Sequence, residues 1–244
     1  MNILCIGNSF SQDATRYLHQ ISDEELYVRN LYIGGCSLER HYNNILEDRA
    51  DYEYQKNGRM LRMISIKEAL GKKKWDFVTI QQVSHFSGME ETYEPFLPFI
   101  LGYIKGACPN AKIVFHRTWA YSDYSTHEGF VNYENSRPKM FNAIVNASNN
   151  ICKKYNLDII PNGDAVEESR KLAEFDEKTH PITRDGFHLS LDYGRYLAGL
   201  VMFKFFTGKD ATKVTYEPEN TNHEICKKLK LIAEGVGSRE YTNR

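Results

Sequence analysis

The chain opens with Ile3-Leu4-Cys5-Ile6-Gly7-Asn8-Ser9-Phe10-Ser11, and this stretch decides its fold class. Four consecutive apolar residues have the length and composition of a strand, and Gly7 permits the sharp turn that ends it. A helical pattern follows over about residues 12–21, with Leu18 and Ile21 on one face. The stretch therefore predicts a strand, a tight turn and a helix.

The same alternation continues along the chain. Further strands are predicted over residues 26–33, 76–80, 111–115 and 157–160, and the main helices over residues 37–54, 135–155, 190–206 and 221–233. Strands separated by helices indicate βαβ units and a mainly parallel sheet. We therefore expect a flavodoxin-like three-layer α/β/α sandwich with a five-stranded, mainly parallel sheet.

Length and composition narrow the class of protein. The 244 residues, 41% of them hydrophobic, suit one large domain, and no repeat or linker divides residues 1–244. A net charge of −1 argues against a nucleic-acid partner. The longest apolar run, residues 197–203, is too short to cross a bilayer. We therefore expect a single domain with no nucleic-acid or membrane partner.

The cysteine pattern and the first residues bear on location. The five cysteines are widely spaced and form no C-x-x-C pair, so neither a zinc knuckle nor a disulfide framework is indicated. The N-terminus lacks the basic flank and small-residue cleavage site of a signal peptide. Reduced thiols and a cytoplasmic location are the expectation.

Ser9 is a candidate nucleophile because it lies in the turn between the first strand and its helix. A serine hydroxyl needs a base to take its proton and a backbone amide to hold the developing oxyanion. The first-turn amides of a helix point outward unpaired and meet the second need. The alternative is that Ser9 or Ser11 simply caps this helix.

Asp185-Gly186-Phe187-His188 offers the partners that such a serine requires. A catalytic imidazole needs a carboxylate on its far nitrogen to fix the tautomer and to stabilise imidazolium. A spacing of three residues lets one loop present both groups. The alternative is that both residues cap the helix predicted near Ser190.

At these residues the sequence resembles the SGNH (GDSL-like) hydrolase superfamily. Its members carry Gly-Asp-Ser or Gly-Asn-Ser after the first strand, a glycine after the second, an asparagine after the third, and Asp-x-x-His before the last large helix. Gly7-Asn8-Ser9 matches the first block, Gly34-Gly35 the second and residues 185–196 the last. The resemblance covers residues 3–206 and implies a serine hydrolase of ester bonds, with Ser9, Asp185 and His188 as its triad.

The third block departs from that pattern, because the chain reads Gln81-Gln82-Val83-Ser84-His85 where the family has Gly-x-Asn-Asp. In the family, the asparagine amide is an oxyanion donor beside two backbone amides, which correspond here to Ser9 and Gly35. A glutamine amide has the same N–H chemistry on a longer stem, so the resemblance implies Gln81 or Gln82 in that role. A bacterial branch with a Leu/Ile-Gln-x-x-Ser strand end favours Gln81. Ser84 and His85 are the alternatives.

Other residues near the predicted strand ends are candidates for a substrate pocket. Arg117, Trp119 and Tyr121 follow the fourth strand, and Trp119 is a candidate for stacking on a sugar, with packing as its alternative. Asp164 lies near the same edge, where we expect a structural role. The four histidines weighed as metal ligands lack ligand spacing, so no metal is expected; they are His85, His116, His180 and His188.

The predicted function is hydrolysis of short-chain, acetyl-type esters, especially on carbohydrate, with no cofactor. The sequence lacks the long apolar lid that would suggest a lipase. It also has no G-x-S-x-G, phosphate-loop or H-E-x-x-H motif. One alternative is a lysophospholipase or thioesterase with the same triad. The other is a catalytically silent carbohydrate-binding domain of the same fold.

Overall fold

Every strand predicted from the sequence is present in one sheet of the computed structural model, which describes residues 1–237. In chain order the strands are β1 (Asn2–Gly7), β2 (Tyr27–Tyr32), β3 (Tyr52–Lys56), β4 (Arg59–Ile64), β5 (Phe77–Ile80), β6 (Lys112–His116) and β7 (Asp158–Ile160). Their order across the sheet is β4-β3-β2-β1-β5-β6-β7. β1 pairs in parallel with β2 and β5, and β6 and β7 continue the parallel part. The order reverses between β1 and β5, a point at which open α/β sheets bind ligands.

The prediction of five strands is wrong by one hairpin. β3 pairs antiparallel with β2 and with β4, which gives seven strands within residues 1–237. The helix predicted over residues 37–54 ends at Leu46 instead. Asn57 and Gly58 both have positive φ (52° and 74°), the backbone conformation that tight two-residue hairpins require.

Helices cover both faces of the sheet. They are α1 (Ser9–Thr15), α2 (Leu18–Ile21), α3 (Leu38–Leu46), α4 (Ile66–Gly71), α5 (Phe96–Ala107), α6 (Arg137–Tyr155), α7 (Asn162–Ser169), α8 (Tyr193–Thr207) and α9 (His223–Gly237). Alternate residues of β1 enter two apolar cores: Ile3 and Cys5 pack with α1 and α8, whereas Leu4 and Ile6 pack with α3 and α5. This alternation produces the three layers.

Two expectations from the sequence concern a membrane partner and the single domain. Among residues 1–237, no helix combines the length and hydropathy needed to cross a bilayer. Residues 238–244 of the predicted single domain lie outside the described part of the chain.

His41 joins α3 to the hairpin. Its ring is fully buried and stacks on Tyr52 with the centroids 5.7 Å apart, and Nδ1 lies 2.9 Å from the Tyr52 hydroxyl. Burial, assisted by the nearby charge of Arg40, lowers the pKa of His41 to about 3. The imidazole is therefore neutral in the folded protein throughout the physiological range.

Acidification from pH 7 to pH 5 should destabilise the fold through His41. The unfolded chain binds a proton at an ordinary histidine pKa of about 6.5 while the folded protein does not, so stability falls as the pH drops below that value. Linkage puts the loss at about 2 kcal/mol over this interval. Urea denaturation at both pH values should show that His41→Gln loses about 2 kcal/mol less than the parent. An equal loss in the two proteins would contradict this account.

Candidate active site

The turn after β1 holds Ser9 at the start of α1. Asn8 is the residue that caps this helix: its Oδ1 accepts the Phe10 N–H at 3.0 Å, and its Nδ2 donates to the Cys36 carbonyl at 3.1 Å. Ser9 is thus the first helical residue, and no carbonyl four residues earlier is available to its N–H within the helix. Its hydroxyl is free of the capping role that sequence reasoning left open.

A short hairpin presents Asp185 and His188. Thr183 and Leu189 form an isolated antiparallel bridge, and the Arg184 N–H donates to the His188 carbonyl at 2.9 Å. Gly186 has φ of 89°, and a Cβ there would lie 2.7 Å from Cα of Ser125. Glycine is therefore required at the tip of this hairpin.

The three predicted triad residues form one hydrogen-bonded chain. The Ser9 hydroxyl lies 2.9 Å from Nε2 of His188, and Nδ1 of His188 lies 2.6 Å from Oδ2 of Asp185. Oδ1 of Asp185 accepts the backbone N–H groups of His188 and Phe187 at 2.7 and 3.1 Å. With the proton between the ring and the carboxylate held on Nδ1, Nε2 is the acceptor for the serine hydroxyl.

Hydrogen bonding holds Asp185 in its charged form. Burial raises the pKa of its carboxyl group, but hydrogen bonds from the His188 ring and from the amides of His188 and Phe187 outweigh burial and lower the pKa. A carboxylate behind the imidazole fixes the tautomer and stabilises imidazolium. The arrangement can therefore remove a proton from Ser9.

Ser9 and His188 open into a cleft of about 240 Å³. Other lining residues include Tyr32, Gly35, Ser84, His85 and His127. Of the lining residues in the described part of the chain, none is Lys, Arg, Asp or Glu. Gly35, the predicted second backbone donor, has φ of 62° and lies at this cleft.

Gln81 does not line the cleft. It is buried, its Nε2 donates to Oδ1 of Asn8 at 2.9 Å, and its Oε1 accepts from Nδ1 of His116 at 3.0 Å. Nε2 of His116 in turn accepts from the Asn162 side chain at 2.9 Å. Burial lowers the pKa of His116 to about 3, so this row of polar groups is uncharged. Gln81 fixes the capping residue of α1.

Gln82 also points elsewhere. Its Oε1 accepts the N–H groups of Leu38 and Val83 at 3.0 and 2.8 Å, and its Nε2 donates to the carbonyl and hydroxyl oxygens of Thr92. Both predicted glutamine amides are thus bound to other protein groups. Ser84 and His85, the alternatives, do line the cleft.

Trp119 packs beneath Phe10 and does not line the cleft. It is fully buried, its ring stacks on Phe10 at 4.3 Å, and its Nε1 donates to the Phe187 carbonyl at 2.7 Å. The Trp119 ring therefore packs against the protein, which was the alternative to stacking on a sugar. Arg117 is buried as well, and its Nη1 binds both carboxylate oxygens of Asp164 at 3.1 and 3.0 Å, the structural role expected of that aspartate.

The fold places Tyr121 and two of the four candidate histidines away from the cleft. Tyr121 is buried behind the cleft, where its hydroxyl lies 2.7 Å from Oγ of Ser84. Among the histidines, His116 lies in the buried polar row and His180 packs beside Tyr193, whereas His85 and His188 line the cleft.

Asp13 is a site residue that sequence reasoning missed. Its fully buried carboxylate accepts from Nη1 of Arg184 at 2.9 Å, from Nε and Nη2 of Arg195 at 2.8 and 2.7 Å, and from the Leu189 N–H at 3.0 Å. It lies one helical turn after Ser9 in α1. The carboxylate therefore ties the helix that carries Ser9 to the hairpin that carries His188.

Asp13→Asn should destabilise the protein and separate these two elements. Removing one charge of a buried ion pair costs about 3–5 kcal/mol, because its partners are left uncompensated. Urea denaturation measures this loss. Glu224→Gln, which removes an exposed ion pair with Lys227, is the matched control and should change stability little. Equal stability in the two variants would contradict the role given to Asp13.

Comparisons with known proteins show the family of this chain. A family model described as a domain of unknown function, DUF4886, matches residues 2–234. No curated protein matches the chain. Among solved structures, a DUF4886 family protein from Bacteroides uniformis is 35% identical over 97% of this chain and 94% of its own, with a TM-score of 0.90.

More distant structures share the fold. A member of the lipolytic protein G-D-S-L family from Veillonella parvula is 12% identical, with 85% of this chain and 98% of its own covered and a TM-score of 0.54. The acetyl xylan esterase AlAXEase is 13% identical, with 84% and 98% covered and a TM-score of 0.55. The chain therefore belongs to the DUF4886 family and has the fold of the SGNH (GDSL-like) hydrolases.

Proposed function

We propose that this protein is a serine esterase that hydrolyses short-chain, acetyl-type carboxylic esters through an acyl-enzyme on Ser9. The observation that carries the proposal is the continuous hydrogen-bonded chain from the Ser9 hydroxyl through His188 to Asp185, beside a small cleft. Asn8 caps the helix that carries Ser9, and Asp13 ties that helix to the hairpin that carries His188. No cofactor takes part in the reaction.

In the first half of the reaction, Ser9 is acylated. Nε2 of His188 takes the hydroxyl proton while Oγ of Ser9 attacks the ester carbonyl, and the Asp185 carboxylate stabilises the imidazolium. The tetrahedral intermediate collapses as the carbon–oxygen bond to the alcohol breaks. His188 gives its proton to the departing oxygen, so a neutral alcohol leaves.

In the second half, water regenerates the enzyme. Nε2 of His188 takes a proton from water, whose oxygen attacks the acyl carbon of the ester on Ser9. The bond between the acyl carbon and Oγ breaks, the proton returns to Ser9, and the carboxylic acid is released.

The oxyanion is held by the Ser9 and Gly35 amides and by the Ser84 hydroxyl. Ser84 lines the cleft, whereas the amides of Gln81 and Gln82 are bound elsewhere. The Tyr121 hydroxyl lies 2.7 Å from Oγ of Ser84, and burial raises the pKa of Tyr121, so this hydroxyl keeps its proton. With Tyr121 as the donor of this pair, the Ser84 proton is available to the substrate.

The size and charge of the cleft favour small, uncharged esters. A volume of about 240 Å³ accommodates a short acyl chain and lies below the usual range for larger ligands. A lysophospholipid or a coenzyme A thioester carries phosphate, and the lining offers no lysine or arginine within the described residues. An acetyl xylan esterase has the same fold, which agrees with acetyl groups on carbohydrate as the preferred substrates.

Replacing the nucleophile tests the proposal. The parent protein should be labelled by a fluorophosphonate probe and should hydrolyse p-nitrophenyl acetate. Ser9→Ala should lose the label and about 10⁴-fold or more of kcat, because the acyl-enzyme can no longer form. Ser37→Ala, at the cap of α3, is the control and should keep the label.

Three results would count against the proposal. A parent protein that is neither labelled nor active would favour a silent binding domain. Labelling that survives Ser9→Ala would mean that another residue is the nucleophile. Activity that increases from acetyl to octanoyl esters would favour the lysophospholipase or thioesterase alternative.

Ser84→Ala tests the third oxyanion donor. Loss of such a donor lowers kcat by about 100-fold or more with little change in KM, because the bond strengthens in the transition state. Tyr121→Phe, which leaves the Ser84 hydroxyl in the cleft without its partner, should lower kcat less. Steady-state kinetics on p-nitrophenyl acetate measures both, and an unchanged kcat in Ser84→Ala would remove Ser84 from the oxyanion site.

A further inference from the structure

Two histidines of the cleft have no part in the reaction described above. His85 and His127 both line the cleft that holds Ser9 and His188, and their ring centroids lie 5.4 Å apart. They come from segments that follow different strands, so the fold brings them together. Their proximity to the reacting groups calls for a role.

Gly129 holds both rings in place. Its N–H donates to Nδ1 of His127 at 3.0 Å, and a Cβ at this glycine would lie 2.4 Å from Cβ of His85. The backbone therefore approaches His85 as closely as only glycine allows. His85 is fixed from its other side too, since its carbonyl accepts from Asn132 and from the Tyr133 hydroxyl at 3.1 Å each.

The two imidazoles offer uncharged hydrogen-bonding groups. Because Nδ1 of His127 is an acceptor, its proton lies on Nε2. Nδ1 of His85 is buried and has no hydrogen-bond partner among residues 1–237, so the ring nitrogen that His85 offers to a substrate is Nε2. Burial lowers the pKa of both rings, so each is neutral at pH 7.

The chemistry of the reaction decides which part of the ester these rings face. The departing alcohol receives its proton from Nε2 of His188, so it must lie next to that ring. The Phe187 ring lies between His188 and the two cleft histidines. Its centroid is 4.2 Å from that of His188 and 5.0 Å from that of His127. His127 therefore lies on the alcohol side of the scissile bond.

We propose that His85 and His127 form the leaving-group subsite and select alcohols that carry further hydroxyl groups, the carbohydrate class. Neutral imidazoles donate to and accept from hydroxyls, and the Phe187 ring beside them suits the apolar face of a sugar. Within residues 1–237, the lining offers no lysine or arginine as a counter-ion to a phosphate headgroup. The subsite rests on the proposed esterase activity, whose acyl half it does not alter.

The test compares two acetyl esters that differ only in the alcohol: 6-O-acetyl methyl glucoside and ethyl acetate. The measured quantity is the ratio of their kcat/KM values. The parent should prefer the glucoside ester. His85→Phe and His127→Phe keep a ring but remove the nitrogens, and each should lower the ratio about three- to tenfold, the value of one or two neutral hydrogen bonds.

Two more variants separate a subsite from a general effect. Gly129→Ala keeps both imidazoles but displaces His85, so it should lower the ratio as well; thermal denaturation checks that it is folded. His223→Phe alters an exposed histidine on α9 and should leave the ratio at the parent value.

The outcomes distinguish the two proposals. A parent that hydrolyses p-nitrophenyl acetate but does not prefer the glucoside overturns the subsite alone. The same holds if His85→Phe and His127→Phe lower both esters equally, since that result would make the rings part of the oxyanion site or its support. A parent that is inactive on every ester overturns the proposed esterase instead.

Discussion

One buried carboxylate holds the candidate site together. Asp13 and Arg184 are 171 residues apart in the chain, yet their ion pair joins the helix after β1 to the hairpin before α8. A buried charge is tolerated only when it is fully paired, and Asp13 receives two arginines and a backbone amide. The position of Ser9 relative to His188 follows from that pairing, because Ser9 lies on the same helix as Asp13 and His188 lies on the hairpin that Asp13 binds.

The parallel part of the fold was accessible from the sequence because it depends on local patterns, and short motifs likewise indicated that Ser9, Asp185 and His188 would lie together. Apolar runs of strand length bounded by glycine mark β1, and Asp185 and His188 lie close enough together to share a loop. The β3–β4 hairpin was missed although Asn57-Gly58 marks it in the sequence, because the helix predicted over residues 37–54 took up the start of β3 and no strand was assigned on either side of that dipeptide.

The residue that we propose as the third oxyanion donor, Ser84, was less accessible for a different reason. Gln81 and Gln82 have the right chemistry and follow the right strand, but the direction of a side chain beyond a strand end depends on partners distant in sequence. Asn8 and Thr92 bind the two glutamine amides, and neither contact is visible in local periodicity. Asp13 was missed likewise, because its partners lie beyond residue 183.

The row Asn162–His116–Gln81–Asn8 crosses the carboxyl ends of β7, β6, β5 and β1. A neutral imidazole has one donor and one acceptor, so the proton on Nδ1 of His116 assigns a polarity to the whole row: every amide must present its oxygen toward one end and its nitrogen toward the other. Reversing one member would set donor against donor. The orientation of the turn before Ser9 is thus encoded by a single proton two strands away, and divergence in this family should change these four positions in concert.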